Sequence, residues 1–295
     1  MYKNFFKEYL LDNIVGRLVL ANVAVYVLLL FIGVFSVLFN VGQLAVYMRS
    51  FVELPAYLPH LFFRPWTLLT YMFVHAGPWH LLWNMVALYA FGKIFLNFYS
   101  KSHLVLVYLI GGLFGAFFYL AAYNIFPYFH GVLHSSCLVG ASASVIAVIV
   151  ATAVRVPEYR VNMLFVGSVK FSTLAIVTVV LSLLLLSGDN AGGNFAHLGG
   201  AFAGWLVAYL LNKGVDFVSI MNRPLQWFSS LFSRPKSKKS KFTYVKGGRN
   251  TDYEYNARKK ADEAEIDRIL EKIKQGGYAS LSEDEKKRLF EASSK

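Results

Sequence analysis

The chain has 295 residues, 56% of them hydrophobic and only 16% charged. A soluble domain is nearer a quarter charged, so these totals argue against an ordinary soluble protein and for a polytopic membrane protein. The net charge of +12 could suit nucleic acid, but the basic residues are grouped between apolar runs, which is a membrane-topology pattern, and no nucleic-acid partner is expected.

Lys3, Lys7 and Arg17 precede the first apolar run. That run is too long for the core of a signal peptide and lacks a small-x-small cleavage site, so it reads as a retained helix. A bilayer core of about 30 Å takes roughly 20 apolar residues per helix. Six runs fit, over residues 18–39, 78–98, 103–126, 135–154, 171–187 and 192–211. The predicted fold is therefore all-α, a six-helix membrane bundle.

Residues 40–77 separate the first two runs. They contain Pro55, Pro59 and Pro65, many aromatics and few charges. The stretch is too hydrophobic for a free loop and too broken for a span. A hairpin lying in the membrane interface fits, with Trp66 and Tyr71 as anchors.

Loop charges give the orientation. Lys93 and Lys101 flank the second turn, Arg155, Arg160 and Lys170 the fourth, and Lys213 and Arg223 follow the last run. The opposite loops, 127–134 and 188–191, carry no Lys or Arg. Both termini are expected on the cytoplasmic side. The lone Cys137 can make no internal disulfide and leaves the redox compartment open.

The expected organisation is a cytoplasmic segment over 1–17, a membrane domain over 18–212, a basic linker over 213–256 and a helical tail over 257–295. The basic cluster from Arg234 to Lys241 reads as a cytoplasmic stop signal attracted to anionic lipid. In the tail, Ile266, Leu270 and Ile273 recur at helical spacing before Gly276 and Gly277. Ser282-Glu-Asp-Glu285 then reads as a capping box opening a last short helix. The tail's partner is not specified by its residues.

Two polar groups stand out inside apolar runs. Ser142 is flanked by Gly140, Ala141, Ala143 and Ser144, and His197 precedes Gly200 and Gly204. A hydroxyl and an imidazole are a candidate nucleophile and base. Counting 1.5 Å per residue from the outer ends of the runs puts Ser142 about 10 Å, His197 about 8 Å and Asn84 about 9 Å deep. Ala196, Gly200, Gly204 and Ala208 form a stripe of small residues, as do Ala143, Ala147 and Ala151. Such stripes let membrane helices approach closely. His80 and Asn84 lie four apart on one face and would suit an oxyanion hole. No Asp or Glu stands in the spans and Asp189 lies in a loop, so serine chemistry would use a dyad. The histidines have no acidic companion at their depth, so neither metal nor other cofactor is expected.

These residues resemble the rhomboid intramembrane serine proteases. Gly140-Ala-Ser142 is similar to their Gly-x-Ser-Gly motif, Ala196-His197-Leu-Gly-Gly200-Ala-Phe-Ala-Gly204 to their Ala-His-x-x-Gly-x-x-x-Gly helix, and His80-Leu-Leu-Trp-Asn84 to their His-x-x-x-Asn segment. The resemblance runs from about Leu18 to Leu211. It implies Ser142 as nucleophile, His197 as base, and His80, Asn84 and the Ser142 N–H as the oxyanion hole. Gly140, Ala143, Gly200 and Gly204 would support the dyad. His75, Trp66 and Arg64 would belong to the first-loop support. Substrates would be transmembrane segments of other proteins in the bilayer, cleaved near its outer face. A bacterial plasma membrane is the expected site.

Two departures bear on this. Ala143 stands where the family motif has Gly, and Ile146 where many relatives place an aromatic ring against the histidine. The alternative is a rhomboid-like pseudoprotease that binds or escorts clients without cleavage. A transporter would want carboxylates or broken helices at mid-depth, and the polar groups here sit near one face. The glycine-rich loop from Ser187 to Gly193 is expected to act as a lid.

Overall fold

The computed structural model describes residues 13–163, 167–188, 190–215, 218 and 264–293. The chain divides into two units, residues 1–227 and 228–295. The N-terminal segment before residue 13 and the linker's basic cluster lie outside the described residues, as does Asp189.

The first unit is a helix bundle. Its elements in order begin with α1 (Ile14–Leu38), α2 (Gly42–Val52), β1 (Leu54–Pro55), α3 (Leu58–Phe63) and α4 (Thr67–Thr70). Next come α5 (Pro78–Phe95), α6 (Lys101–Ile125), β2 (Cys137–Leu138) and α7 (Ser142–Arg155). A hairpin of β3 (Arg160–Met163) and β4 (Gly167–Lys170) leads into α8 (Phe171–Leu184) and α9 (Ala191–Asn212). Helices α1, α6 and α9 are long and apolar enough to cross a membrane; α7 and α8 are apolar but shorter.

Helix starts follow local chemistry. Asn13 caps α1 by accepting the Val15 N–H, Ser100 caps α6 by accepting the His103 N–H, and Pro78 opens α5 at the position where a missing N–H is harmless.

The run 135–154 is not one helix, as its apolarity predicts, because α7 begins only at Ser142. Residues before it are extended: Leu138 pairs with Leu54 and Cys137 with Pro55, and Ala56 donates its N–H to the Ser136 carbonyl at 3.0 Å. Gly140 ends this extension at φ +121°, donating its N–H to Tyr71 O at 3.0 Å. Backbone pairing to the first loop outcompetes helix there, a long-range effect that hydropathy does not record.

The first loop folds as short helices and turns held by their own side chains. Arg64 Nη1 donates to Ser50 O, Trp66 Nε1 to Phe51 O and Thr70 Oγ1 to Val52 O, all at 2.7 Å. These bonds take up carbonyls at the end of α2, which that helix cannot satisfy itself. Trp66 is partly exposed, as an anchor would be, but Tyr71 is not an anchor. It is 1% exposed and its hydroxyl donates to Gly112 O at 2.6 Å, fastening the loop to α6.

Helices α6, α7 and α9 form the centre of the bundle. The predicted stripes meet: a Cβ on Gly200 would strike the backbone of Ala143, and one on Gly204 the backbone of Ala147. A third helix completes the seam, since a Cβ on Gly115 of α6 would come within 2.6 Å of the Ala143 methyl. Backbones this close gain dispersion contact and weak Cα–H···O bonds, which drive helix association where lipid removes the hydrophobic term.

The second unit is described over a helix at 264–276 and α11 (Glu283–Ser293), counting the former as α10. Ile269 and Leu281 are buried, while Leu270 is 49% exposed. The inward stripe is therefore Ile266, Ile269 and Ile273, and the predicted Leu270 faces outward. Ser282 and Glu285 make the predicted reciprocal cap: Ser282 N–H donates to Glu285 Oε2 at 2.7 Å, and Glu285 N–H to Ser282 Oγ at 3.3 Å.

Candidate active site

Ser142 is the first residue of α7, and His197 lies in the second turn of α9. The seam decides their meeting. Gly200 rests on the Ala143 backbone, and His197 stands one turn before Gly200 on the same helix. The imidazole thus projects over the start of α7, where His197 Nε2 lies 2.8 Å from Ser142 Oγ.

The far side of the ring meets α8. His197 Nδ1 is 3.5 Å from Ser182 Oγ, and that hydroxyl donates to Thr178 O at 2.9 Å. Ser182 was not singled out by sequence, since a lone Ser in an apolar helix is ordinarily explained by its bond to the carbonyl four residues back.

His80 sits across the cavity on α5. Its Nδ1 accepts the Ala76 N–H at 3.3 Å, which leaves the ring hydrogen on Nε2. The ring lies on Gly140, so closely that a Cβ at that position would come within 2.7 Å of Cε1. Asn84, one turn further on, is buried and uses one amide hydrogen to bond His80 O at 2.8 Å, leaving a second for the cavity. His75 packs edge-on against His80 with ring centroids 5.1 Å apart and is 1% exposed. It backs the His80 ring, and Arg64 and Trp66 act further away by bracing the loop that carries it.

A cavity of about 500 Å³ joins these groups, lined by His80, Asn84, Ser142 and His197 together with Tyr119, Tyr123 and Asn190. Tyr119 and Tyr123 are a turn apart on α6 with their rings tilted at 42° and 4.5 Å between centroids, a placement visible in sequence only as two aromatics in an apolar run. The expected lid is shorter than its glycines imply. Gly192 and Gly193 belong to the first turn of α9, and together with Asn190, the residue before the helix, they line the cavity.

The arrangement brings together a hydroxyl, an imidazole acceptor, two side-chain N–H donors and a helix N-terminus. The first N–H groups of α7, including that of Ser142, have no partner within the helix. They give the site a fixed positive end where a developing anion would lie. The departures from the motif are absorbed: the Ala143 methyl fills the space left by Gly115, and Ile146 is buried in the core.

Residues 63–214 match the family of Rhomboid domains. Residues 249–295 match a family of unknown function, DUF6576. The chain is also similar to presenilin-associated rhomboid-like protein A, mitochondrial, of Danio rerio, with 29% identity over 142 residues. That match covers 46% of this chain and 35% of the relative's length.

Proposed function

The chain belongs to the rhomboid family and is an integral membrane protein, and on that premise we propose that it is an intramembrane serine endopeptidase. The observation that carries the reading is the 2.8 Å approach of His197 Nε2 to Ser142 Oγ. Six helices cross the bilayer in this reading, with both termini on the cytoplasmic side of a bacterial plasma membrane. The loop charges support that orientation.

The substrate is a single transmembrane helix of another protein, entering from the lipid. A helix hides its carbonyls in its own hydrogen bonds, so it must unwind before attack, and Gly, Pro or polar residues near the outer end of the span favour this. Ser142 Oγ attacks the scissile carbonyl carbon while His197 Nε2 takes the hydroxyl proton. The oxyanion receives hydrogen bonds from His80 Nε2–H, the free Asn84 N–H and the Ser142 backbone N–H. Collapse expels the amine, which takes the proton from His197. Water entering through the cavity then attacks the Ser142 ester, with His197 again accepting and returning a proton. No cofactor or metal takes part in these steps.

A client-holding pseudoprotease is the second reading. Ala143 is the residue that favours it, and the room for its methyl at Gly115 removes most of that weight. Reconstituted protein with a model transmembrane substrate separates the two. Cleavage is expected, with a loss of about 10³-fold or more in both Ser142→Ala and His197→Ala. A serine-directed fluorophosphonate should label the wild type and not Ser142→Ala. No cleavage by the wild type across a panel of substrates, with no labelling, favours the client-holding reading.

A further inference from the structure

The hydroxyl of Ser182 has one hydrogen, and Thr178 O takes it at 2.9 Å. What Ser182 turns toward His197 Nδ1 at 3.5 Å is therefore a lone pair. Only the ring tautomer with hydrogen on Nδ1 can bond it. That tautomer leaves the Nε2 lone pair facing Ser142 Oγ at 2.8 Å, so the serine hydroxyl is the donor in that pair. The other tautomer would set the Nδ1 lone pair against the Ser182 oxygen and hold Ser142 as an acceptor. It could not take the Ser142 proton.

We infer that Ser182 is a positioning residue, which selects the tautomer of His197 competent to receive the proton of Ser142. The inference rests on the protease reading for its consequence, and on hydrogen bonding alone for its geometry. The local bond to Thr178 O suffices to explain a serine in an apolar helix. The contact across to α9 is what goes beyond it.

Other features hold Ser182 in place. It is 4% exposed. Asn194 Nδ2 donates to Leu185 O at 2.8 Å, which ties the end of α8 to the first turn of α9 beside the histidine. At 3.5 Å the Ser182 contact is long, but such bonds in free enzymes often tighten once substrate is bound. When His197 carries the second proton, the Nδ1–H is charge-assisted and the bond strengthens.

The test compares Ser182→Ala, Ser182→Thr and Ser182→Cys in the full chain, reading kcat and KM together with the imidazole ¹⁵N signals of His197. Those signals report the tautomer without any turnover. Ser182→Ala is expected to lower kcat about tenfold, the worth of one neutral hydrogen bond, with KM unchanged. Its ¹⁵N signals should move from a protonated Nδ1 toward a tautomer mixture. Ser182→Thr, which keeps the hydroxyl and the bond to Thr178 O, should restore both within about twofold. Ser182→Cys keeps the packing but is a poor acceptor, so it should behave as Ala does. A wild-type kcat or an unmoved tautomer ratio in the Ala and Cys variants overturns the inference, as does failure of Thr to restore them. If the wild type cleaves nothing, the protease reading fails, and the ¹⁵N spectra still decide the role of Ser182.

Discussion

The imidazole of His80 lies on the α-carbon of Gly140, so that a side chain at residue 140 and the ring cannot occupy the same space. Gly140 also holds φ +121°, a conformation that L side chains rarely adopt. Gly140→Ala therefore meets two obstacles at once. It should cost about 1–3 kcal/mol of stability and displace His80 from the cavity. On the proposed protease reading, kcat is expected to fall at least about tenfold, because His80 would be lost as an oxyanion donor. Gly131→Ala, where a Cβ meets nothing within 4 Å, is the matched control and should leave both stability and kcat unchanged.

His80 and Asn84 share one task through one bond. Asn84 Nδ2 donates to His80 O, so each residue helps to hold the other. His80→Ala and Asn84→Ala are each expected to lower kcat by about 10²-fold or more, with KM little changed. The double variant should lose less than the product of the two, since groups that act as a unit are not additive. Single-turnover cleavage of a transmembrane substrate measures this. A fall confined to KM would mean that the pair binds substrate without stabilising the transition state.

The tail unit has a pH response of its own. Lys272 bonds both Glu285 oxygens at 2.9 Å, and the Ser282 N–H adds a third bond, so the Glu285 carboxyl is lowered from its ordinary 4.5 to about 2. A second pair, Arg288 with Glu265 at 2.6 Å, also joins the two helices. With the folded value below the unfolded one, the contribution of Glu285 is complete above about pH 4.5 and is lost as pH falls toward 2. Protection of the Ser282 and Glu285 amides from exchange, relative to the intrinsic rate at each pH, should fall through that window. Glu285→Gln should lack the step, and added salt should shrink it, since the groups are exposed.

Much of the site was legible in the residues alone. Ser142, His197, His80 and Asn84 could be grouped because polar side chains are rare in apolar runs and because two stripes of small residues promised close helix contact. Those signals are local or periodic. What escaped was set by pairing between distant segments. The start of α7 is fixed by Leu54 and Pro55 pairing with Leu138 and Cys137, so hydropathy placed Ser142 two turns into a helix that it opens. The consequence is chemical, since Ser142 gains unpaired N–H groups beside its hydroxyl. Tyr71 looked interfacial because its hydroxyl needs a partner, and the partner proved to be Gly112 O in the core. Ser182 gave no signal, because its meaning depends on which face of α8 turns toward α9.

Ala143 and Gly115 supply the sharpest test of the seam. The family motif has Gly where this chain has Ala143, and the structure shows the added methyl received by α6 at Gly115. Moving the methyl across the interface should then be nearly neutral, while doubling it should not. Ala143→Gly leaves a methyl-sized gap and is expected to cost about 1 kcal/mol with cleavage retained. Gly115→Ala puts two methyls 2.6 Å apart and also crowds Tyr71 Oη and Ala196 O, each 3.1 Å from the new Cβ. It should cost about 1–3 kcal/mol and lower cleavage, because α7 carries Ser142 away from His197 as it shifts. The double variant Gly115→Ala/Ala143→Gly restores one methyl to the seam and should recover most of both losses, a coupling of about 1 kcal/mol or more. Unfolding in mixed detergent micelles and cleavage rates measured on the four proteins complete the cycle. Strict additivity across it would mean that the two residues do not meet and that the methyl of Ala143 is accommodated elsewhere.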